Sequence, residues 1–503
     1  MSQNITNAQR ELRQMISRNL ENGLRKMNPW WRNEPVPPLP KFRRWAYEPV
    51  LHRLKNWPVF IVALRGPRQV GKSTVQDQII QALLHEGVAG NRILRIQFDE
   101  LPKRLKLDEP ILELSWWFEE NILGESFASA QHADRPAYLF FDEMQILPYW
   151  APQLKHLVDI HKVKVMITGS SSLRIAAGQD SLAGRITTIE MGPLFLREIV
   201  ALRGLGELEP RLPANGLAPL LAKNFWQELR SYGEQQRAIR DAAFALFSLR
   251  GAYPIAHIYP EMEWEQLADQ LNETIIHRVI QYDLIAGKRG RRADEHVFEE
   301  IFRAACRYAG QSPKPYLFID EIKRALQIDV KQKKVLDYLD LLNESLLLRL
   351  IEPKELRLKR RRGYARICLS DHALRASWLQ ETIPLAEPEL VARPDLSNLA
   401  GHVAESIVGY FLSSIFNLDV AHFPDREIEP EVDFVLTIGV QRIPVEIKYR
   451  RRIRFDDTYG LRSFIEKAAY NAPFGLLITL TDEKQSDDPR IVEMPLSTLL
   501  LLR

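Results

Sequence analysis

The stretch Gly66-Pro67-Arg68-Gln69-Val70-Gly71-Lys72-Ser73-Thr74 has the glycine spacing and the Gly-Lys-Ser ending of a loop that wraps phosphate oxygens. Gly66 and Gly71 free the backbone to aim its N–H groups inward, and the helix that opens next adds its N-terminal dipole to the same place. In that setting Lys72 would neutralise the β- and γ-phosphate oxygens and the Ser73 hydroxyl would hold Mg²⁺. An acidic pair, Asp142-Glu143, closes a later apolar run. Asp142 would carry the hydrated Mg²⁺, and Glu143 would polarise the water that attacks the γ-phosphate. Together these residues point to binding and hydrolysis of ATP.

Two weaker features follow. Thr168-Gly169-Ser170-Ser171 ends another apolar run, where a small hydroxyl such as Ser170 would sense the γ-phosphate, unless the segment is a plain serine-rich turn. Arg185 would supply positive charge to a transition state, in its own subunit or in a neighbour's, and the second case leaves a homo-oligomer open. As a lone arginine at a strand start it reads equally well as a surface charge, with Arg174 a lesser candidate for the same role.

A second constellation lies near the C-terminus. Asp433 sits in Glu431–Ile438, and Glu446 and Lys448 sit two apart in Gln441–Lys448, across a turn at Gly439. Alternation along a strand puts Glu446 and Lys448 on one face. Carboxylates converging from adjacent strands can hold Mg²⁺, and an ammonium beside them can orient water for attack on a phosphodiester. Glu405, on a helix before the hairpin, would complete the pocket. Solvated charges on a plain hairpin are the bland alternative. Arg450-Arg451-Arg452 and Arg454, just past Lys448, suit a phosphate backbone, or a solvated face.

These residues need elements to hold them. Apolar runs at 59–64, 92–98, 138–141, 163–167 and 185–189, separated by helical lengths, predict a parallel sheet covered on both faces. The strand at 92–98, between the loop and the acidic pair, is expected to set their strands apart in the sheet. Residues 1–45 read as a helix and a proline-stiffened arm that packs on this core of 46–200, and 201–286 as a helical lid. A charged glycine-containing linker at 287–292 leads into 293–380, where three helices and a hairpin with Lys359-Arg360-Arg361-Arg362 at its tip describe a winged helix. Residues 398–503 form a last α/β domain.

Composition narrows the setting. A formal charge of +3 over 503 residues announces no polyanion partner by itself, so clusters matter more than the total. Cys306 and Cys368 are too few for a disulfide framework or a zinc site, which favours a reducing compartment. No signal-peptide core begins the chain and no run of about 18 apolar residues interrupts it, so a soluble cytoplasmic protein without a membrane partner is expected.

Taken in order, these motifs resemble those of a family of bacterial and archaeal AAA-type P-loop ATPases with a C-terminal restriction-endonuclease-like domain of the PD-(D/E)xK type. Beyond the phosphate loop, the resemblance rests on Asp142-Glu143-Met144-Gln145, Gly169-Ser170-Ser171-Ser172, Leu182-Ala183-Gly184-Arg185, Pro193–Glu198, Gly251-Ala252-Tyr253-Pro254, and Glu405, Asp433, Glu446 and Lys448. Pro430 precedes Asp433 by three residues where the family name implies adjacency, and Ala252 replaces a usual glycine. The resemblance implies an ATPase tied to nucleic acid, DNA more than RNA, with a nuclease-like domain that either cleaves or only binds. A remodeller directed at a protein partner is the reading from another class.

Overall fold

The computed structural model describes residues 18–56, 60–101, 107–147, 149–161, 163–169, 182–212, 216–280, 293–354, 363–424 and 431–503. Val59, Ser170 to Ser172, Arg174, the basic runs 287–292 and 359–362, and Pro430 lie outside them. The chain divides into two compact units, residues 1–191 and 192–503.

The first unit is built on five parallel strands: β1 (Ile61–Arg65), β2 (Ile93–Gln97), β3 (Tyr138–Asp142), β4 (Lys164–Gly169) and β5 (Ile186–Glu190). Their order is β2-β3-β4-β1-β5. The loop strand β1 and the acidic strand β3 are indeed apart, but the strand between them is β4; β2 is at the edge. Near-continuous burial of β1, β3 and β4 follows from their Val/Ile/Leu/Phe content. Helices α1 (Arg18–Met27), α2 (Tyr47–Asn56), α3 (Lys72–His85), α4 (Pro110–Phe118) and α5 (Trp150–His161) accompany the sheet.

An edge strand exposes unpaired backbone groups, and the arm covers those of β2. The Asn28 amide donates to the Arg95 carbonyl and accepts from the Arg95 N–H, at 2.8 and 2.6 Å. The indoles of Trp30 and Trp31 both donate to the Ile93 carbonyl, at 3.0 and 2.8 Å. Further on, Gln78 of α3 donates to the carbonyls of Pro40 and Phe42, each at 2.8 Å. Residues 28–42 of the segment expected as an arm are thus stitched to the core by side chains bonded to backbone.

In the second unit, α6 (Leu196–Leu202), α7 (Lys223–Gln235), α8 (Arg237–Arg250) and α9 (Trp264–Leu271) precede a three-helix group, α10 (Ala293–Arg307), α11 (Pro315–Leu326) and α12 (Gln332–Glu344). The antiparallel pair β6 (Leu348–Ile351) and β7 (Arg366–Leu369) follows, then α13 (His372–Leu379) and α14 (Ser397–Ser413). The C-terminal sheet joins β8 (Asp419–Phe423), β9 (Val432–Ile438), β10 (Gln441–Lys448), β11 (Gly475–Thr479) and β12 (Ile491–Pro495) in sequence order, with α15 (Tyr459–Glu466) between β10 and β11 and α16 (Leu496–Leu499) after β12. Its first three strands are antiparallel and its last three parallel, which makes it a mixed sheet.

The helices expected as a lid on the nucleotide core pack within this second unit. Arg240 of α8 forks onto Asp482 at 2.8 and 2.7 Å and reaches Thr498 at 2.8 Å, while Gln441 of β10 donates to the Leu221 carbonyl at 3.0 Å. Among the described residues no helix is long and apolar enough to cross a membrane.

Candidate functional sites

Why the phosphate loop holds its shape is visible at its two glycines. Gly71 sits at φ +94° just before α3, a conformation that side chains rarely adopt. Gly66 lies against backbone: a Cβ there would be 2.1 Å from the Met191 carbonyl oxygen. Lys72 is 5% exposed and donates to the carbonyls of Gly66 and Pro67 at 3.0 and 2.7 Å, so its ammonium is held at the mouth of the loop. Arg44, from the segment before α2, donates to the Val70 carbonyl. Gly66→Ala is expected to cost about 1–3 kcal/mol of overpacking. A lower Tm together with weaker binding of a fluorescent ATP analogue would register it, and unchanged values in both would show that the loop absorbs the methyl.

At the ends of β3 and β4 the acidic pair meets a hydroxyl. Asp142 is fully buried; its Oδ1 accepts from the Thr168 hydroxyl and from the Glu143 N–H, the latter at 3.1 Å. Its Oδ2 is buried with no hydrogen-bond partner among the described residues. A buried carboxylate oxygen left unpaired is costly, and Mg²⁺ would satisfy it, so the residues present fit the ion. Glu143 adopts φ +54°, a left-handed conformation costly for a residue with a side chain, and accepts from the Gln145 amide. Nearby Asp77 of α3 is pushed up to about 6 by burial, against the pull of Arg95 at 2.9 Å and with the help of Asp142. Thr168 is therefore the strand-end hydroxyl that touches the acidic pair; Ser170 lies outside the described residues.

Arg185 is corrected in one respect. It stands at the N-terminal start of β5, which runs parallel to β1, whereas the phosphate loop leaves the C-terminal end of β1. A strand of 5 residues at about 3.3 Å each sets the two ends of the sheet roughly 15 Å apart. Arg185 pairs there with Asp159 of α5 and donates to the Ala183 carbonyl at 3.1 Å. It stands at the opposite end of the sheet from the phosphate loop of its own chain.

The C-terminal constellation is brought together, with an addition. Val445 pairs with Phe434 across β9 and β10, so the next step along each strand sets Glu446 beside Asp433. Lys448 donates to Glu446 Oε1 at 2.5 Å. Burial, then the neighbouring Asp433, pushes Glu446 up to about 8, against the pull of Lys448. Burial pulls Lys448 down, but Glu446 and Asp433 outweigh it and hold it above its ordinary value. Glu405 of α14 is raised by burial and by Asp433, and it sits 3.8 Å from His402, whose pKa the Glu405 carboxylate raises.

The addition is Arg366, the first residue of β7. It is 4% exposed and donates to Asp433 Oδ1 at 2.9 Å, to Glu405 Oε2 at 3.2 Å and to Glu431 Oε1 at 2.5 Å. The other oxygen of Asp433 accepts from the Ile447 N–H at 2.8 Å. Among the described residues no group of three or more His, Cys, Asp or Glu is arranged to hold a metal. The metal pocket expected of Glu405, Asp433 and Glu446 is therefore not formed as read: the residues converge, but a guanidinium stands among them. Nothing in the sequence near Arg366 signals this, because its partners are 39 and 67 residues away.

Two family models match separate parts of the chain. Residues 59–200 match the family described as AAA domain, and residues 400–499 match a domain of unknown function (DUF4143). An uncharacterized protein of Methanocaldococcus jannaschii, MJ1637, is 29% identical over 143 residues, which are 28% of this chain and 28% of that protein. An uncharacterized protein of Haemophilus influenzae is 22% identical over 290 residues, 57% of this chain and 61% of that protein. The chain thus spans less than two thirds of these curated relatives. Among solved structures, the Walker-type ATPase PABY2304 of Pyrococcus abyssi is 13% identical with a TM-score of 0.42, covering 70% of this chain and 99% of its own. Cdc6p from Pyrobaculum aerophilum is 14% identical with a TM-score of 0.24, covering 70% and 97%. Strand order, the phosphate loop and the family match converge on an ATPase-like P-loop domain of AAA type over residues 59–200.

Proposed function

We propose that the chain is a Mg²⁺-dependent ATPase whose nucleotide turnover is coupled to a nuclease-like C-terminal domain that engages nucleic acid, DNA in preference to RNA. The observation that carries the ATPase half is Asp142, buried with one oxygen unpaired beside Thr168 and next to Glu143. Bound Mg²⁺ would neutralise phosphate charge. The chain's own groups do the rest: the loop N–H groups and Lys72 bind the phosphates, Asp142 and Ser73 hold the ion, and Glu143 orients and deprotonates water. In a homo-oligomer, Arg185 would be offered to a neighbour's nucleotide.

Support for nucleic acid comes from the second unit. Three helices followed by the β6–β7 pair have the layout of a winged helix, and Lys331 and Lys333 are exposed at the start of α12, where a recognition helix meets phosphates. Past Lys448, Arg451, Arg452 and Arg454 are exposed, with Phe455 78% and Tyr459 60% exposed beside them. Arg462 lies 3.5 Å over the Phe455 ring. Exposed rings among arginines suit stacked bases and a phosphate backbone. Cleavage by Asp433, Glu446 and Lys448 has less support, because Arg366 takes up carboxylate oxygens a metal would need.

The test is the ATPase rate with double-stranded DNA, single-stranded DNA and RNA. Stimulation by DNA supports the proposal; indifference to all three, with stimulation by a protein, selects the remodeller. Phe455→Ala is expected to weaken single-stranded DNA binding by about 1–3 kcal/mol, roughly 5- to 150-fold, measured by anisotropy at fixed salt. An unchanged Kd would remove this surface from the interface.

A further inference from the structure

We infer that Arg366 is the resident cation of the C-terminal carboxylate cluster, standing where a nuclease would bind a divalent metal, so that the cluster clasps the β6–β7 hairpin instead of holding a metal for cleavage. This deepens the nuclease-like reading of residues 398–503 and rests on it. A metal at this cluster would draw on the Asp433 oxygens, and both of those are engaged. Asp433 gives one oxygen to Arg366 and the other to the Ile447 N–H, at 2.9 and 2.8 Å. Glu405 gives one oxygen to Arg366 at 3.2 Å, and its other oxygen lies 3.8 Å from His402, beyond hydrogen-bond range. Glu446 gives one to Lys448 at 2.5 Å, and its second oxygen is buried without a hydrogen-bond partner.

A guanidinium is suited to this place. It is planar, always charged and presents its N–H groups as a fork, so that one side chain bonds carboxylates from α14, β9 and the segment before β9 together. Its position ties three parts of the second unit in one contact: β7, α14 and β9. A divalent ion at the same spot would compete for the Asp433 and Glu405 oxygens, and the two cations are mutually exclusive there by charge and by space.

The experiment is a titration of the nucleotide-free full chain with Mn²⁺, counting bound metal by the electron paramagnetic resonance of the free ion. Wild type and Asp433→Asn should titrate alike, and Arg366→Gln should gain one equivalent of Mn²⁺ that Arg366→Gln combined with Asp433→Asn lacks. A wild-type site that Asp433→Asn removes would overturn the inference, as would a folded Arg366→Gln that gains none. If Arg366→Gln does not fold, the comparison of wild type with Asp433→Asn decides alone. Wild-type binding to DNA is measured separately: its loss sinks the nucleic-acid reading and leaves the metal count standing.

Discussion

Glu143→Gln should bind ATP as tightly as the wild type and hydrolyse it about 10²–10⁴-fold more slowly, the usual contribution of a placed general base. The amide keeps the shape and the ability to accept from Gln145 but cannot take a proton from water. Lys72→Ala should behave differently. Lys72 is held by the carbonyls of Gly66 and Pro67, at the place where phosphate charge collects, so its loss weakens binding and turnover together. Phosphate release at saturating ATP separates the two signatures, with a fluorescent analogue reporting affinity. Wild-type turnover in both variants would remove hydrolysis from the proposal.

The contrast between the two sites tracks what a linear sequence can carry. Gly66 to Thr74 is contiguous, and its role follows from the positive φ at Gly71 and the helix behind it, both local properties. The five core strands are legible for the same reason: each is an apolar run that ends in a polar motif. Their order is not, because pairing is long-range, and β4 rather than β2 proves to separate β1 from β3. Side chains bonded to distant backbone leave no periodic trace, so Asn28, Trp30 and Trp31 on β2, and Arg44 on Val70, escape a reading by pattern. Strands β8 and β12 escape for another reason. His422 and Glu493 are buried polar residues, at 1% and 3% exposure, that interrupt the apolar signal, each hydrogen-bonded through one side-chain atom. Arg366 is the extreme case: a basic residue after an arginine-rich stretch reads as solvated charge, and only the fold reveals three carboxylates around it.

Asp482→Ala should destabilise the second unit by about 3–5 kcal/mol, the cost of breaking a buried ion pair from one side. Arg240 is 2% exposed and Asp482 accepts both prongs of its guanidinium, at 2.8 and 2.7 Å. Asp241 and Thr498 remain as partners after the substitution, but Asp241 is half exposed and screened by water. Close packing adds to the dependence: at Gly233 of α7 a Cβ would lie 2.2 Å from the Thr498 hydroxyl, so α7, α8 and α16 have little room to rearrange around an unpaired charge. Burial alone would raise the pKa of Asp482; the hydrogen bonds and charge of Arg240 outweigh it and leave it below the ordinary carboxylate value. A depressed carboxylate stabilises the fold above its unfolded pKa, about 3.9, and that stabilisation is lost as pH falls through the lower folded value. Acidification should therefore weaken the wild type over that window more steeply than the variant. Amide hydrogen exchange of α7, α8 and β11, with α3 of the first unit as internal reference, measures both effects. Faster exchange confined to the second unit is the expected result, and unaltered protection of α8 in Asp482→Ala would mean that the Arg240 contact does not hold these helices to the C-terminal sheet.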